Sequence, residues 1–168
     1  MKISAILSRI ILSVAVFTAS VASASPLTWT LNGVTFDDGS TATGTFVAET
    51  TTGDLLSWNI TTTPGVLSGF VYDTTTSSLY ARDLFAANSY LFTNDLPFAD
   101  PYLNIAFARA LSSAGTVNFT LDASYECDNC NTVRFITSGS VTAVPEPAPV
   151  ALFGIALGAL FLRRKARK

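Results

Sequence analysis

Histidine is absent from the 168-residue chain, which removes the side chain that most often serves as a general base or completes a serine triad. The chemistry that remains is that of paired carboxylates acting on a glycosidic bond. Most of the candidate acids follow turn signals, where aspartate is favoured for backbone reasons alone. We therefore expect no enzymatic activity and no cofactor, and a carboxylate glycosidase is the alternative. The candidate acids are Asp37, Asp38, Asp54, Asp73, Asp95, Asp100 and Asp122.

Cysteine is also scarce. Cys127 and Cys130 are the only two in the chain, and without histidine they are too few for a four-ligand zinc site. In an exported protein this spacing predicts a local disulfide that ties a hairpin loop. A thioredoxin-type redox centre would need the two thiols at the start of a helix in a βαβ unit, whereas the flanking residues alternate as strands do.

Positive charge is nearly missing from the middle of the chain. All twelve acidic residues lie between Ser25 and Pro147, where the only cations are Arg82, Arg109 and Arg134. Twelve acids against three arginines leave this part a net charge of −9, without a single lysine. Such a charge repels nucleic acid and anionic lipid. We therefore expect no nucleic-acid partner and a soluble, self-repelling domain.

The longest apolar runs lie at the two ends of the chain. At the front, a basic stretch precedes the apolar residues 10–17, and Ala22 and Ala24 form a small-x-small cleavage site. This layout is typical of a secretory signal peptide. We predict that residues 1–24 are the signal peptide and that Ser25 begins the exported protein. The alternative, an uncleaved signal anchor, is disfavoured by the short apolar core.

The C-terminus combines a proline motif, an apolar segment and a basic end. Residues 150–162 carry no charge, and as a helix they would rise only about 20 Å against a hydrocarbon core of about 30 Å. They also lack the polar face of a helix packed on a soluble core. We therefore predict a short helix held transiently in the inner membrane, with its basic end in the cytoplasm. The motif is Val144, Pro145, Glu146 and Pro147, and the basic stop is Arg163, Arg164, Lys165, Arg167 and Lys168.

In this order and at this position, residues 144–168 resemble the PEP-CTERM sorting signal of Gram-negative bacteria. The resemblance implies export by the secretion machinery, then recognition and cutting at or near Pro-Glu-Pro by an exosortase-type membrane protease. From the two targeting ends, the acidic threonine-rich domain and the lack of catalytic residues, we expect delivery to the cell envelope or extracellular matrix and a structural or adhesive role associated with exopolysaccharide. The alternative is a carbohydrate-binding module that recognises this polysaccharide. The resemblance is nearly silent about the task of the domain that is sorted.

Residues 25–143 have the size of one domain and a hydrophobic period close to two. Asn32-Gly33 predicts a tight hairpin turn, and the run 102–111 fits a strand better than a helix. We predict an all-β fold, a single antiparallel β-sandwich or jelly-roll-like domain, between the signal peptide and the C-terminal hydrophobic helix. The main strands are expected near 27–31, 34–36, 41–47, 55–61, 66–72, 78–82, 90–93, 103–111, 116–125 and 133–141.

Two further sets of residues leave alternatives open. Asp37 and Asp38 could bind calcium, but they lack the spaced acids of an EF-hand loop, and a turn is the simpler interpretation. Aromatic side chains could form a sugar-stacking platform or fill the core, and we expect Trp29 and Trp58 in the core. The aromatic candidates are Trp29, Trp58, Tyr72, Tyr80, Tyr90, Tyr102 and Tyr125.

Overall fold

The computed structural model describes residues 26–94 and 100–144, and these form an antiparallel β fold. The signal peptide and the apolar C-terminal helix of the prediction lie outside these residues. Among the residues described, no helix has the length and apolarity needed to cross a membrane. The strands are β1 (Leu27–Phe36), β2 (Thr41–Ala48), β3 (Leu55–Thr62), β4 (Val71–Asp73), β5 (Ser78–Arg82), β6 (Ser89–Thr93), β7 (Pro101–Ala106), β8 (Gly115–Asn118), β9 (Tyr125–Asp128) and β10 (Thr132–Ala143), with a 3₁₀ helix at Leu121–Ala123.

The strands pair in the order β4-β3-β2-β1-β10-β9-β7-β6-β5, and β8 also pairs with β10. The long strand β10 divides this ladder into two sheets. Its residues 136–143 pair with β1 and β8 in the first sheet, which also holds β2, β3 and β4. Its residues 132–135 pair with β9 in the second sheet, which also holds β7, β6 and β5. The first and last strands of the fold are therefore neighbours.

The ladder curls into a nearly closed barrel whose open seam lies between β4 and β5. These two edge strands are consecutive in the chain but do not pair. Side chains bridge the seam: Trp58 Nε1 donates to Ser77 Oγ at 2.9 Å, and Asn94 Nδ2 donates to the Val71 carbonyl at 2.8 Å. The predicted all-β antiparallel class is confirmed. Apart from β8, the strands pair in chain order as a meander. This differs from the Greek-key connections of a jelly roll.

The hairpin predicted at Asn32-Gly33 is wrong, because β1 continues through it. Gly33 takes a φ of 58°, and the register with both β2 and β10 shifts next to it. A residue with positive φ is needed both in the tight turn and in a β-bulge. The same residue pair therefore fits either structure, and here it bends a ten-residue strand.

Other strand boundaries follow the prediction in part. The strand expected over 66–72 is limited to Val71–Asp73. The run 102–111 is a strand as far as Ala106, which confirms strand over helix. The strand expected over 116–125 is interrupted by the 3₁₀ helix, which separates β8 from β9. Sequence alternation thus located the strands better than it located their ends.

In the first sheet, aromatic and branched side chains point inward and threonines point outward. Trp29 and Phe46 are fully buried with stacked rings 6.5 Å apart, whereas Thr28, Thr30 and Thr45 are exposed. The predicted core position of Trp29 is confirmed. Trp58 is partly buried, with its ring 5.5 Å from that of Phe92.

Candidate functional site

The interior of the second sheet holds an ion pair where an apolar pair would be expected. Glu126 on β9 and Arg134 on β10 are directly opposite each other in the ladder, and both are fully buried. Arg134 Nε and Nη2 donate to Glu126 Oε2 at 2.7 and 2.5 Å. Because a buried charge is costly unless it is paired and hydrogen-bonded, the surroundings of this pair decide whether it is tolerated.

Glu126 is satisfied on its second oxygen as well. Its Oε1 accepts the hydroxyl protons of Tyr72 at 2.8 Å and Thr62 at 2.9 Å. The Thr62 hydroxyl in turn accepts the N–H of Phe70 at 2.9 Å. These contacts connect the ends of β3 and β4 to β9 through the interior of the barrel.

Arg134 makes the connection to the turn between β1 and β2. Its Nη1 donates to Ser40 Oγ at 2.6 Å, to the Thr63 carbonyl at 3.0 Å and to Asp38 Oδ2 at 3.3 Å. The guanidinium also lies over the Phe36 ring, 4.5 Å from its centroid, a cation–π contact. We call these residues the Arg134 network: Phe36, Asp38, Ser40, Thr62, Thr63, Tyr72, Glu126 and Arg134.

The electrostatics of the network follow from burial and donated hydrogen bonds. Burial raises the pKa of Glu126, against the opposing charge of Arg134. Burial, together with the charge of Glu126, raises the pKa of Tyr72 far above its usual range, so its hydroxyl keeps the proton that it donates. Burial would also raise the pKa of Asp38, but hydrogen bonds from Ser40, Val66 and Arg134 outweigh it and hold that pKa well below its usual range.

Asp37 and Asp38 are placed as turn residues. Asp37 Oδ1 accepts the N–H of Phe135 at 3.2 Å. Asp38 Oδ2 accepts the N–H of Val66 at 2.8 Å, and its Oδ1 accepts the Ser40 side chain and N–H. In the described part of the chain, no group of three or more metal-binding side chains comes together. The hydrogen bonds of Asp37 and Asp38 are those of turn residues, as the turn interpretation predicts.

The other candidate acids lie apart at turns. Asp54 pairs with Arg82 at 2.9 Å. Hydrogen bonds from the side chain and N–H of Thr75 and from Thr76 lower the pKa of Asp73 to about 2. Each of these carboxylates holds a turn or a neighbouring side chain. The remaining candidates are Asp100, which accepts the Tyr102 hydroxyl at 3.0 Å, Asp122, which lies in the 3₁₀ helix, and Asp95, which is outside the described residues.

The second sheet has aromatic side chains on its outer surface. Because side chains alternate along a strand, the inward positions of Glu126 and Arg134 turn their neighbours Tyr125 and Phe135 outward. These two rings lie opposite each other, 6.3 Å apart. We define the aromatic face as Tyr80, Phe85, Tyr102, Tyr125 and Phe135.

The rings of the aromatic face form two contacting groups. Phe85, from the loop after β5, lies 6.0 Å from Tyr125, and Tyr80 lies 6.1 Å from Tyr102 in an edge arrangement. Tyr80, Phe85 and Phe135 are 63%, 58% and 45% exposed. Of the seven aromatic candidates, Tyr80, Tyr102 and Tyr125 are on this surface, whereas Trp29, Tyr72 and Tyr90 are buried.

The predicted disulfide between Cys127 and Cys130 is confirmed. It closes the short loop between β9 and β10. Cys127 lies directly between Tyr102 and Val133 in the cross-strand register, so the disulfide borders the aromatic face.

A polar cleft of about 160 Å³ lies at the end of the barrel where β1 begins and β10 ends. The turn between β2 and β3 forms one wall, and two of its carbonyls accept hydrogen bonds from side chains across the cleft. The Tyr90 hydroxyl donates to the Gly53 carbonyl at 2.7 Å, and Arg82 Nη1 donates to the Thr52 carbonyl at 2.6 Å. Burial raises the pKa of Tyr90 to about 12. The cleft is therefore held together by its own polar groups.

The sequence does not single out three residues of the site, Phe85, Glu126 and Phe135. For Arg134 it indicates only a contribution to the net charge. One signal for Arg134 was present: it stands between Val133 and Phe135 in an alternating run. A cation at such a position requires either that the apolar neighbours face outward or that the strand is misassigned.

The sorting residues follow directly from β10. Val144 is exposed and is the last residue described. The other predicted targeting residues lie outside the described ranges, including Pro145, Glu146, Pro147, the basic stop and the cleavage site at Ala22, Ala24 and Ser25. A family model described as the PEP-CTERM protein-sorting motif matches residues 143–165. No curated protein and no solved structure matches the chain.

Proposed function

We propose that this chain is a non-enzymatic envelope or extracellular-matrix protein with a structural or adhesive role associated with exopolysaccharide. The chain carries the PEP-CTERM sorting motif of exosortase substrates, which implies export and membrane-anchored sorting to the cell envelope. The nearly closed barrel in front of the motif is the part that would be delivered there. The Arg134 network supports this proposal, because its buried acid, Glu126, and its buried base, Arg134, are paired with each other. The scattered turn aspartates support it as well.

The attachment of the motif to the barrel suggests how the domain is presented. Ala143 at the end of β10 pairs with Trp29 near the start of β1, and the motif begins at the next residue, Val144. The five residues 145–149 can span at most about 17 Å. While the tail is anchored, the end of the barrel that carries the cleft would therefore lie close to the membrane. Cutting at or near Pro-Glu-Pro would release the barrel from the membrane and expose this end of it to the surroundings.

The sorting proposal is tested by changing Pro145-Glu146-Pro147 to three alanines. We expect an uncut form that stays in the membrane fraction of the producing cells, at a higher mass than the released protein. The matched control is Pro149→Ala, which removes a nearby proline and keeps the motif. If the triple variant reaches the same destination at the same mass as the unchanged protein, the proposal is wrong.

The second candidate function is carbohydrate binding. The observation that favours it is the aromatic face, where Tyr80, Tyr102 and Tyr125 lie outward on one sheet beside exposed Phe85 and Phe135. A core would bury these rings. Their position on the outer surface of a rigid sheet is suited to contact with a polymer in the matrix.

A further inference from the structure

We propose that the aromatic face binds an uncharged glycan chain laid across the strands of the second sheet. The proposal deepens the carbohydrate-binding candidate above and rests on it. The face supplies ring surfaces for the apolar C–H sides of sugar rings and polar groups at its border for the sugar hydroxyls. It therefore matches the amphipathic character of a neutral polysaccharide.

The arrangement of the rings fits an extended polymer. Phe135 lies opposite Tyr125 on the adjacent strand, and neighbouring strands are about 4.8 Å apart, so these two rings follow one another across the sheet. Asn104, which lies opposite Tyr125 on β7, is fully buried and does not belong to this surface. Tyr80 and Tyr102 continue the aromatic surface on β5 and β7. A chain crossing the strands would meet several rings in succession.

The charges around the face select for an uncharged ligand. Asp83, Asp100, Asp122 and Asp128 lie on the loops and strand ends that carry or border the aromatic residues. Arg82, two residues after Tyr80 in the chain, pairs with Asp54 and Asp83. This surplus of negative charge repels polyuronates, nucleic acids and anionic lipids. It also disfavours a second copy of this chain, whose identical face would bring the same acids.

The face is held in its binding geometry before any ligand arrives. The Tyr102 hydroxyl donates to Asp100 Oδ2 at 3.0 Å, and the N–H of Asp100 donates to Asp128 Oδ1 at 2.9 Å. The loop that carries Phe85 is fixed by the Ser89 hydroxyl, which donates to the Ala86 carbonyl at 2.7 Å. Little ordering is then needed on binding, which favours affinity.

Affinity electrophoresis of the full chain, expressed with its own targeting ends, tests the proposal. The gels contain a β-glucan, an α-glucan, a galactan, a mannan or polygalacturonate. We expect retardation by at least one neutral glycan and none by polygalacturonate. Tyr80→Ala and Phe135→Ala should each weaken retention about three- to tenfold. Phe135→Tyr should restore it, because it keeps the ring.

Leu56→Ala is the control, because it removes an apolar side chain that is 51% exposed on β3, in the other sheet. The retention of this variant in the glycan gel should equal that of the unchanged protein. The proposal is overturned if no neutral glycan retains the protein, if polygalacturonate retains it more strongly, or if the face variants bind as the unchanged protein does. Sedimentation showing a dimer that only the face variants abolish would also overturn it. Glycan binding is measured on the isolated protein, whereas sorting is measured in the producing cells. A protein that binds no glycan would therefore leave the test of the sorting proposal unaffected.

Discussion

The two halves of β10 follow opposite patterns. From Ile136 to Ala143 the strand buries apolar side chains and turns polar ones outward, as expected of a sheet with one solvated face. From Thr132 to Phe135 it buries Arg134 and turns Val133 and Phe135 outward. Glu126 on β9 repeats the inversion beside it. One continuous strand thus carries a conventional segment and an inverted one.

We infer that the Arg134 network determines which side of the second sheet is aromatic. A shift of register by one residue would exchange the two faces of the strand. It would bury Phe135 and expose Arg134, and hydrophobicity alone would favour that arrangement over the observed one. The partners of Arg134 on the β1–β2 turn and after β3 exist only in the observed register. We infer that the buried ion pair specifies this register, and the following variants test that inference.

The largest effect is expected from Arg134→Met, which leaves the Glu126 carboxylate buried without its cation. Removing one partner of a buried pair costs about 3–5 kcal/mol, and urea unfolding followed by tryptophan fluorescence measures it. Arg109→Met, at an exposed arginine, should change the free energy of unfolding by less than about 0.5 kcal/mol.

The double variant Arg134→Met with Glu126→Leu removes both charges together. It should recover most of the stability lost in the single variant, because two apolar residues avoid the unpaired charge. If our inference is right, it should nevertheless lose retention on the neutral glycan, because the register is no longer specified. Full retention by the double variant would show that the network contributes stability without specifying the face.

A smaller and pH-dependent effect is expected from Asp38→Asn. The pKa of Asp38 is lowered in the folded state, so its contribution is complete above the unfolded pKa of about 3.9 and is lost as pH falls through the lower folded value. We expect a loss of about 1–3 kcal/mol near neutral pH that shrinks below pH 4. Unfolding measured from pH 3 to 7 tests this, with Asp122→Asn as the exposed control. A constant difference across that range would contradict it.

The conventional pattern of the first sheet could be predicted from the sequence, and the inverted segment of β10 could not. The alternation of Trp29, Phe46 and their neighbours predicted strands that bury aromatic rings and expose threonines, because each strand carries this information by itself. The Arg134 network instead joins residues far apart in the chain. Tyr72 and Glu126 are 54 positions apart, and Asp38 and Arg134 are 96 apart. Only the folded topology brings them together.

The smallest effect is expected from imposing the conventional pattern on the inverted segment with Phe135→Thr. Phe135 is 45% exposed, and threonine is a good strand residue, so the free energy of unfolding should fall by less than about 1 kcal/mol. Thr43→Ala, on the solvated face of the first sheet, should change it by a similarly small amount. Glycan retention should separate the two, since only Phe135→Thr removes a ring from the aromatic face. A loss of stability above about 2 kcal/mol in Phe135→Thr alone would mean that the outward rings contribute to the cohesion of the fold and are not a free binding surface.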